Sequence, residues 1–496
     1  WAAHKGKSPF PLVNFSTRAL MLTAAWLDDI EAKDPLRKMA AATKAALDRL
    51  GEPVIRASVA QAMRIMGEHF VLGETIDSAM KRAKRFAEKG YVFSFDMLGE
   101  AAHTAKDAHK YYRDYENAIA AIAKHSTRER AAENPGISVK LSALHPRYEY
   151  VKKERVLNEL GERVRTLALQ AKAANMGFNI DAEEADRLDL SLDIIELLMR
   201  DPELANWTGF GVVVQAYQRR ASDVLDWLAA LSRETERRIM VRLVKGAYWD
   251  SEIKRAQVMG LETYPVFTRK VLTDLSYIAC ARKLFNNSDV FYPQFATHNA
   301  LTATMVQAMA GDFKDYELQR LHGMGEALHD SLIESGARSR IYAPVGGHKE
   351  LLPYLVRRLL ENGANSSFVN QLIDPDLSVD DVVADPLEEV AELTQYANPS
   401  IPAPRDCLNG ERLSARGHDE THPPTAQGFS PDARSVIGDL VAKPIVNGET
   451  RNGKSNNVVN PADHGDVVGC VENASEADVA AACIAASGFA STWEST

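Results

Sequence analysis

Cysteine is nearly missing from this chain: there are four in 496 residues, Cys280, Cys407, Cys470 and Cys483, with no CxxC pair among them. They build neither a disulfide framework nor a zinc-ribbon spacing, and a reducing, cytoplasmic compartment is the expectation. Long apolar runs are missing too. Stretches such as Ala118 to Ala123 end in charge well short of the ~20 residues that span a bilayer. Positive charge is in deficit, with 58 basic against 68 acidic residues and a net charge of -10, which argues against a nucleic-acid footprint over the whole molecule. No GxGxxG opens a Rossmann unit, and Walker A and HExxH sequences are absent, so a nucleotide cofactor would have to be held by other loops. The chain starts at Trp1 without an initiator Met or a signal peptide and stops at Thr496 just after a helical pattern, so it reads as cut at both ends.

What is present supplies a real core, since 45% of the residues are hydrophobic. Residues 1–72 carry helical periodicity, as in Val54, Val59, Met63 and Met66, and read as an all-helical arm. From Tyr91 the pattern changes to short runs rich in Val, Ile, Phe and Tyr, each followed by a longer amphipathic segment. Eight runs recur: 91–98, 136–144, 177–184, 209–217, 239–249, 290–297, 318–324 and 339–346. Between them, Val156, Leu160, Val164 and Leu167 share one helical face, as do Leu225, Leu228 and Leu231. Strict alternation of this kind predicts an α/β fold, a TIM-like (β/α)8 barrel over 73–375. Residues 376–442, with Pro399, Pro402, Pro404, Pro423 and Pro424, read as a linker. Residues 443–496 read as the opening of a further α/β module that stops short.

Barrel enzymes carry their reactive groups at the C-terminal ends of the strands. Here those ends are polar: Asp96, Lys140, Asp181, Gln215, Arg242 with Lys245, Thr297 with His298, Gln319 with His322, and Tyr342. A single strand-end charge is usually a salt bridge or a cap, but eight converging on one face point to an active site. After the eighth run, Tyr354, Arg357, Arg358 and Glu361 fall at i, i+3, i+4 and i+7 and share a helical face, with Gly363 placed to end the helix. Two adjacent arginines suit bidentate recognition of a carboxylate, although such a pair is also common on a solvated face. Gly246 and Ala247 leave the backbone after the fifth run open to a flat or phosphorylated ligand. Metal hydrolysis is disfavoured, because the first strand ends Phe95-Asp96-Met97-Leu98 rather than in HxH, and His298 and His322 lack ligand spacing.

These segments, Phe95 to Ala101, Val139 to Leu144, Asn179 to Glu184, Arg242 to Trp249, Ala296 to Asn299, Leu321 to Gly325 and Tyr354 to Glu361, resemble in order the proline dehydrogenase domain of the bacterial proline utilization A flavoenzymes. The likeness runs over roughly residues 1–400. It implies a distorted barrel holding FAD without a covalent bond, and L-proline as substrate, oxidised to 1-pyrroline-5-carboxylate by hydride transfer from C5 to flavin N5. By matching motif, Arg357, Arg358 and Lys140 would hold the proline carboxylate while Asp181 orients that cluster. Tyr342, Tyr354 and Leu321 would wall the ring. Arg242 would lie beside flavin N5 with Tyr248 behind the cluster, both in the catalytic group with Asp181 and Lys140. Ala182, Gln215, Lys245, Gly246, Ala247, Trp249, Thr268, Thr297, His298 and Glu361 would join Arg242 as FAD contacts.

The resemblance also implies a quinone of the membrane pool as electron acceptor, and hence a peripheral encounter with the inner membrane. A homo-oligomer is compatible with the sequence, but no residue specifies one. Residues from Lys443, with Val458 to Asp463 and Ala477 to Trp493, resemble the start of the aldehyde dehydrogenase module of bifunctional relatives, too short for that activity. The DNA-binding segment that some relatives carry at the amino terminus is expected to be absent, leaving no nucleic-acid partner. Two rivals remain. A methylenetetrahydrofolate reductase-like flavin barrel is opposed by the arginine pair, and a non-catalytic scaffold by the intact strand-end charges.

Overall fold

The computed structural model describes residues 70–347, 354, 357, 385–408, 412–423, 425, 440–461 and 463–495. The arm expected over 1–72 therefore lies outside the described residues save for its last three. The chain divides into two compact units at Pro423/Pro424.

The first unit is a closed barrel of eight parallel strands in sequence order: β1 Val92–Met97, β2 Gly136–Val139, β3 Phe178–Ile180, β4 Phe210–Gln215, β5 Ile239–Val244, β6 Phe291–Ala296, β7 Glu317–Leu321 and β8 Ser339–Val345. β8 returns to β1 with Phe93 opposite Ile341 and Phe95 opposite Ala343. Seven strands fall within their predicted runs, and β7 begins one residue earlier, at Glu317. The second run is shorter than expected, because the strand stops at Val139 and Leu141–Leu144 forms one helical turn. Helices cover the outside: α1 Ile76–Ala87, α2 Ala105–Ala123, α3 Leu141–Leu144, α4 Lys153–Ala173, α5 Leu188–Met199, α6 Ala221–Glu234, α7 Trp249–Met259, α8 Lys270–Asn286, α9 Ala300–Ala310 and α10 Glu326–Glu334. Their ends are written locally. Thr104 accepts the Asp107 N–H while Asp107 accepts the Thr104 N–H, a capping box that starts α2. Gly260, at φ 57, ends α7 in the left-handed region where a side chain is strained.

Alternation along the strands separates two environments. Phe93, Phe95, Ile137, Val139, Phe178, Ile180, Val241, Leu243, Phe295, Leu318 and Ile341 belong to the apolar core packed with the helices. The residues between them, among them Ser94, Asp96, Ser138, Asn179, Arg242, Gln294, Glu317, Gln319 and Arg340, are buried and polar and bond to one another across the barrel. An interior filled this way departs from the branched apolar layers common in such barrels.

A later stretch folds back on the same unit. It includes α11 Pro386–Ala391; the Asn398 N–H donates to Thr268 Oγ1 at 2.9 Å and Tyr264 Oη donates to the Pro402 carbonyl at 2.7 Å. The second unit carries a hairpin of β12 Lys454–Asn460 and β13 Asp463–Asn473, flanked by β9 Val441–Ala442, with a small β10 Ile445–Val446 and β11 Glu449–Thr450 pair. Its helix α12, Glu476–Glu494, exposes Val479, Ile484, Phe489 and Trp493. Among the described residues no helix is long and apolar enough to cross a membrane.

Candidate active site

Four of the predicted residues meet at the C-terminal mouth of the barrel. Asp181, just past β3, accepts from Arg242 Nη1 at 2.9 Å through one oxygen, and from Tyr342 Oη at 2.7 Å and Lys140 Nζ at 3.4 Å through the other. Lys140 also donates to Asp96 Oδ1 at 2.6 Å and to Tyr342 Oη at 3.2 Å. The four charged side chains are no more than 9% exposed. Burial opposes the Lys140 charge, but Asp96, Tyr342 and Asp181 outweigh it and hold the ammonium well above its ordinary pKa. Burial pushes the Tyr342 hydroxyl up, with Asp181 and Asp96 adding to the effect, so it remains a donor. Arg242 also donates to Gln319 Oε1 at 2.7 Å, Ser138 Oγ at 3.1 Å and Ser94 Oγ at 3.1 Å. Two cations, two carboxylates and a phenol thus form one neutral, fixed group.

Arg357 lies on a second tier. It is helical and partly buried, its guanidinium pairs with both oxygens of Glu100 at 2.6 and 3.0 Å, and it sits 5.1 Å from the centre of the Tyr248 ring. Burial raises the Glu100 carboxyl, yet Arg357 overcomes it and holds the pKa below the usual value. Tyr248 thus packs its ring against the Arg357 guanidinium. Tyr354 is buried with Phe70, Val71 and Leu98. Leu321 ends β7, and its N–H donates to His298 Nε2 at 2.9 Å, which fixes that ring. Arg358 and Glu361 lie outside the described residues.

The residues expected at a cofactor line the other side of the mouth. Gln215 donates to the Glu183 carbonyl at 2.8 Å, and Lys245 is held by Asp274. Burial lowers the Lys245 pKa against the pull of Asp274. Gly246 takes φ 133, where a Cβ would stand 2.5 Å from the Tyr217 ring. Ala247 is exposed beside it. Trp249 Nε1 donates to the Phe267 carbonyl at 2.8 Å, and Thr268 is engaged by Asn398. The Thr297 carbonyl accepts from His329 Nε2 at 3.0 Å. Asp181, Ala182, Glu183 and Gln215 line one end of a narrow crevice that continues between β3, β4 and residues of α5 and α6 such as Leu192, Ile195 and Leu228. A flat anionic group fits this donor set of Arg242, Lys245 and the Gly246-Ala247 backbone. Among the described residues no cluster of His, Cys, Asp or Glu could hold a metal ion.

Glu100 was not anticipated as the Arg357 partner, nor Ser94, Ser138 and Gln319 as the seat of Arg242. Nor was Tyr115, whose hydroxyl accepts the Lys140 N–H at 3.1 Å. Gln319 carried a signal as a polar residue of the seventh run, and Glu100 as the carboxylate two residues past the first.

A (β/α)8 barrel with its buried charges gathered at the strand ends is an enzyme architecture. The model of the proline dehydrogenase family matches residues 79–371, and this chain belongs to that family. The chain is 46% identical over 512 aligned residues to the bifunctional protein PutA of Klebsiella aerogenes, covering all of this chain and 39% of that relative. It is 29% identical over 314 residues to proline dehydrogenase 1 of Bacillus subtilis, covering 62% of this chain and 91% of the relative. A mutant of Bradyrhizobium japonicum proline utilization A superposes with a TM-score of 0.72 at 48% identity, over 81% of this chain and 41% of that one. The chain therefore spans about two fifths of the length of its bifunctional relatives.

One expectation is overturned. The family described as the DNA-binding domain of proline dehydrogenase matches residues 1–70, so a segment of that kind is present, not absent. Net charge and helical periodicity report neither the presence nor the absence of such a segment, which is why the arm was read only as helical.

Proposed function

We propose that this chain oxidises L-proline to 1-pyrroline-5-carboxylate, the first step of proline catabolism. The observation that carries the reading is the Lys140–Asp96–Asp181–Arg242–Tyr342 group at the barrel mouth with Arg357 one tier above it, inside the span matched by the proline dehydrogenase family. Bound FAD would supply the electron sink, taking hydride from proline C5 at its N5 and passing the electrons on to a quinone.

The chain's own residues hold and orient. Arg357, with Arg358 and Lys140, grips the substrate carboxylate, because a planar guanidinium matches two carboxylate oxygens. Tyr342, Tyr354 and Leu321 wall the ring and exclude water. Asp181 keeps Lys140 and Arg242 in register, and Arg242 presents a fixed positive charge where negative charge gathers during reduction. Ala182, Gln215, Lys245, Gly246, Ala247, Trp249, Thr268, Thr297, His298 and Glu361 would hold the cofactor, and Tyr248 supports Arg357 from beneath. A cytoplasmic enzyme meeting a membrane quinone would do so as a peripheral visitor.

Purified protein should be yellow, and anaerobic L-proline should bleach its oxidised-flavin spectrum. Protein that stays colourless after incubation with FAD, or whose flavin is untouched by proline, refutes the reading.

A further inference from the structure

The mouth group accounts for only the upper half of the barrel's polar interior. Below it, Gln319 accepts the Arg242 Nε–H at 2.7 Å and donates from Nε2 to Glu317 Oε1 at 2.7 Å. Glu317 is held by Arg340 Nε and Nη2 at 2.6 and 3.1 Å, by Gln294 Nε2 at 2.8 Å and by Tyr292 Oη at 3.2 Å. Arg340 closes the column by donating to the carbonyls of Phe93, Asn134 and Ala132 at 3.0, 3.2 and 2.5 Å. Glu317, Gln319 and Arg340 are 1–2% exposed. Buried ion pairs are often no more stabilising than apolar side chains of the same volume, so packing alone does not explain a charged column here.

The chemistry of each member explains the next. An amide can present either its oxygen or its NH2 to a neighbour, and Gln319 must offer the oxygen if Arg242 is to be held. A carboxylate only accepts, so Glu317 takes the NH2 of Gln319 and leaves the oxygen facing Arg242. Arg340 Nε and Nη2 each meet one oxygen of Glu317, which fixes the plane of that carboxylate against Gln319. Bonds from Nη1 and Nη2 alone would let the guanidinium tilt about its stem, whereas a third bond at Nε fixes its plane.

We infer that Gln319, oriented by Glu317 and Arg340, is a positioning residue for Arg242, setting the plane in which that cation faces the reacting flavin edge. The inference rests on the role proposed above for Arg242, and a measurement without cofactor separates the two. In flavin-free protein, hydrogen exchange of the Arg242 Nε–H, followed by NMR, should be at least about tenfold faster in Gln319→Met than in the parent. In Gln319→Glu, which keeps an acceptor for Arg242 and would share one proton with the adjacent Glu317 in place of the lost NH2, it should stay slow.

In flavin-loaded protein, Gln319→Met should reduce kcat by about tenfold to a hundredfold with KM within about threefold, and Gln319→Glu should recover most of the loss. A purely structural plug would change the melting temperature without this split. Unchanged exchange and unchanged kcat in folded Gln319→Met overturns the inference; if that variant does not fold, fast exchange in Gln319→Glu does so. Exchange behaving as expected in a protein whose flavin ignores proline would refute the proposed reaction and leave the positioning intact.

Discussion

Replacing Asp181 by asparagine keeps the shape of the mouth and removes one charge. In the parent, Asp181 receives Arg242, Tyr342 and Lys140 at 2.9, 2.7 and 3.4 Å, and the group of Lys140, Arg242, Asp96 and Asp181 sums to zero charge. Asp181→Asn leaves two cations facing Asp96 alone in a site where no charged member is more than 9% exposed. At an effective dielectric of about 20, each lost pair is worth on the order of 5 kcal/mol before desolvation is counted. Measured breakage of buried pairs settles near 3–5 kcal/mol, because the site relaxes and admits water. The melting temperature should fall by roughly 3–7 °C, since a unit of this size unfolds with an entropy of about 0.7–0.9 kcal/mol/K. With Lys140 and Arg242 both displaced, kcat/KM for L-proline should fall by at least about a hundredfold, near 2.7 kcal/mol of lost transition-state stabilisation. Thermal denaturation and steady-state turnover on the same flavin-loaded sample test both. A variant that melts within about 2 °C of the parent and turns over within about threefold of it would show that the buried cations do not depend on Asp181.

Arg357→Met removes one charged fork from the proposed carboxylate grip and should cost about tenfold to a hundredfold in kcat/KM, mostly as a rise in KM; parental kinetics would exclude Arg357 from substrate binding. Glu252 is 2% exposed, accepts the Ala185 N–H at 2.6 Å, and has its pKa pushed up to about 7 by burial and the nearby Asp186 and Glu184. A raised folded-state pKa means that its contribution is complete below the ordinary value near 4.5 and is lost as pH climbs towards 7, up to about 3 kcal/mol. Glu252→Gln keeps the acceptor and does not titrate, so its urea midpoint should exceed the parent's at pH 8 and converge with it near pH 5. Equal midpoints at pH 8 would refute the assignment.

The barrel was legible because each strand is packed apolar on its outer face and bounded by turns, so all eight runs stood out against amphipathic helices. The strand ends were legible for a similar reason: Asp96, Lys140, Asp181, Arg242 and Tyr342 are ionisable or hydroxylated residues at the edge of apolar segments. The depth of the polar interior was not. Ser94, Ser138 and Asn179 look in sequence like ordinary small strand residues, and Glu317 and Arg340 look like strand-start charges. Barrel closure, with β8 paired to β1, is what brings Arg242 across the axis to Ser94 and Arg340 to the Phe93 carbonyl. Glu100 was missed because its partner lies 257 residues away, a pairing that no local spacing encodes.

Charge balance also limits how a substrate carboxylate can enter. Among the described residues of the mouth group and the tier above it, each buried cation already has a carboxylate partner: Lys140 with Asp96 and Asp181, Arg242 with Asp181, Arg357 with Glu100. An incoming anion must therefore displace one of these carboxylates or add an unpaired negative charge. Displacement costs least where the released carboxylate can reach water. Asp96 and Asp181 are 0% and 9% exposed and would be stranded, whereas Glu100 is 22% exposed and its arginine 17%. On the proposed reaction, the pair expected to yield to the substrate carboxylate is then Arg357–Glu100. The mouth group beneath it would stay assembled through binding, so that a buried tier sets the chemistry and the Arg357–Glu100 tier admits the substrate.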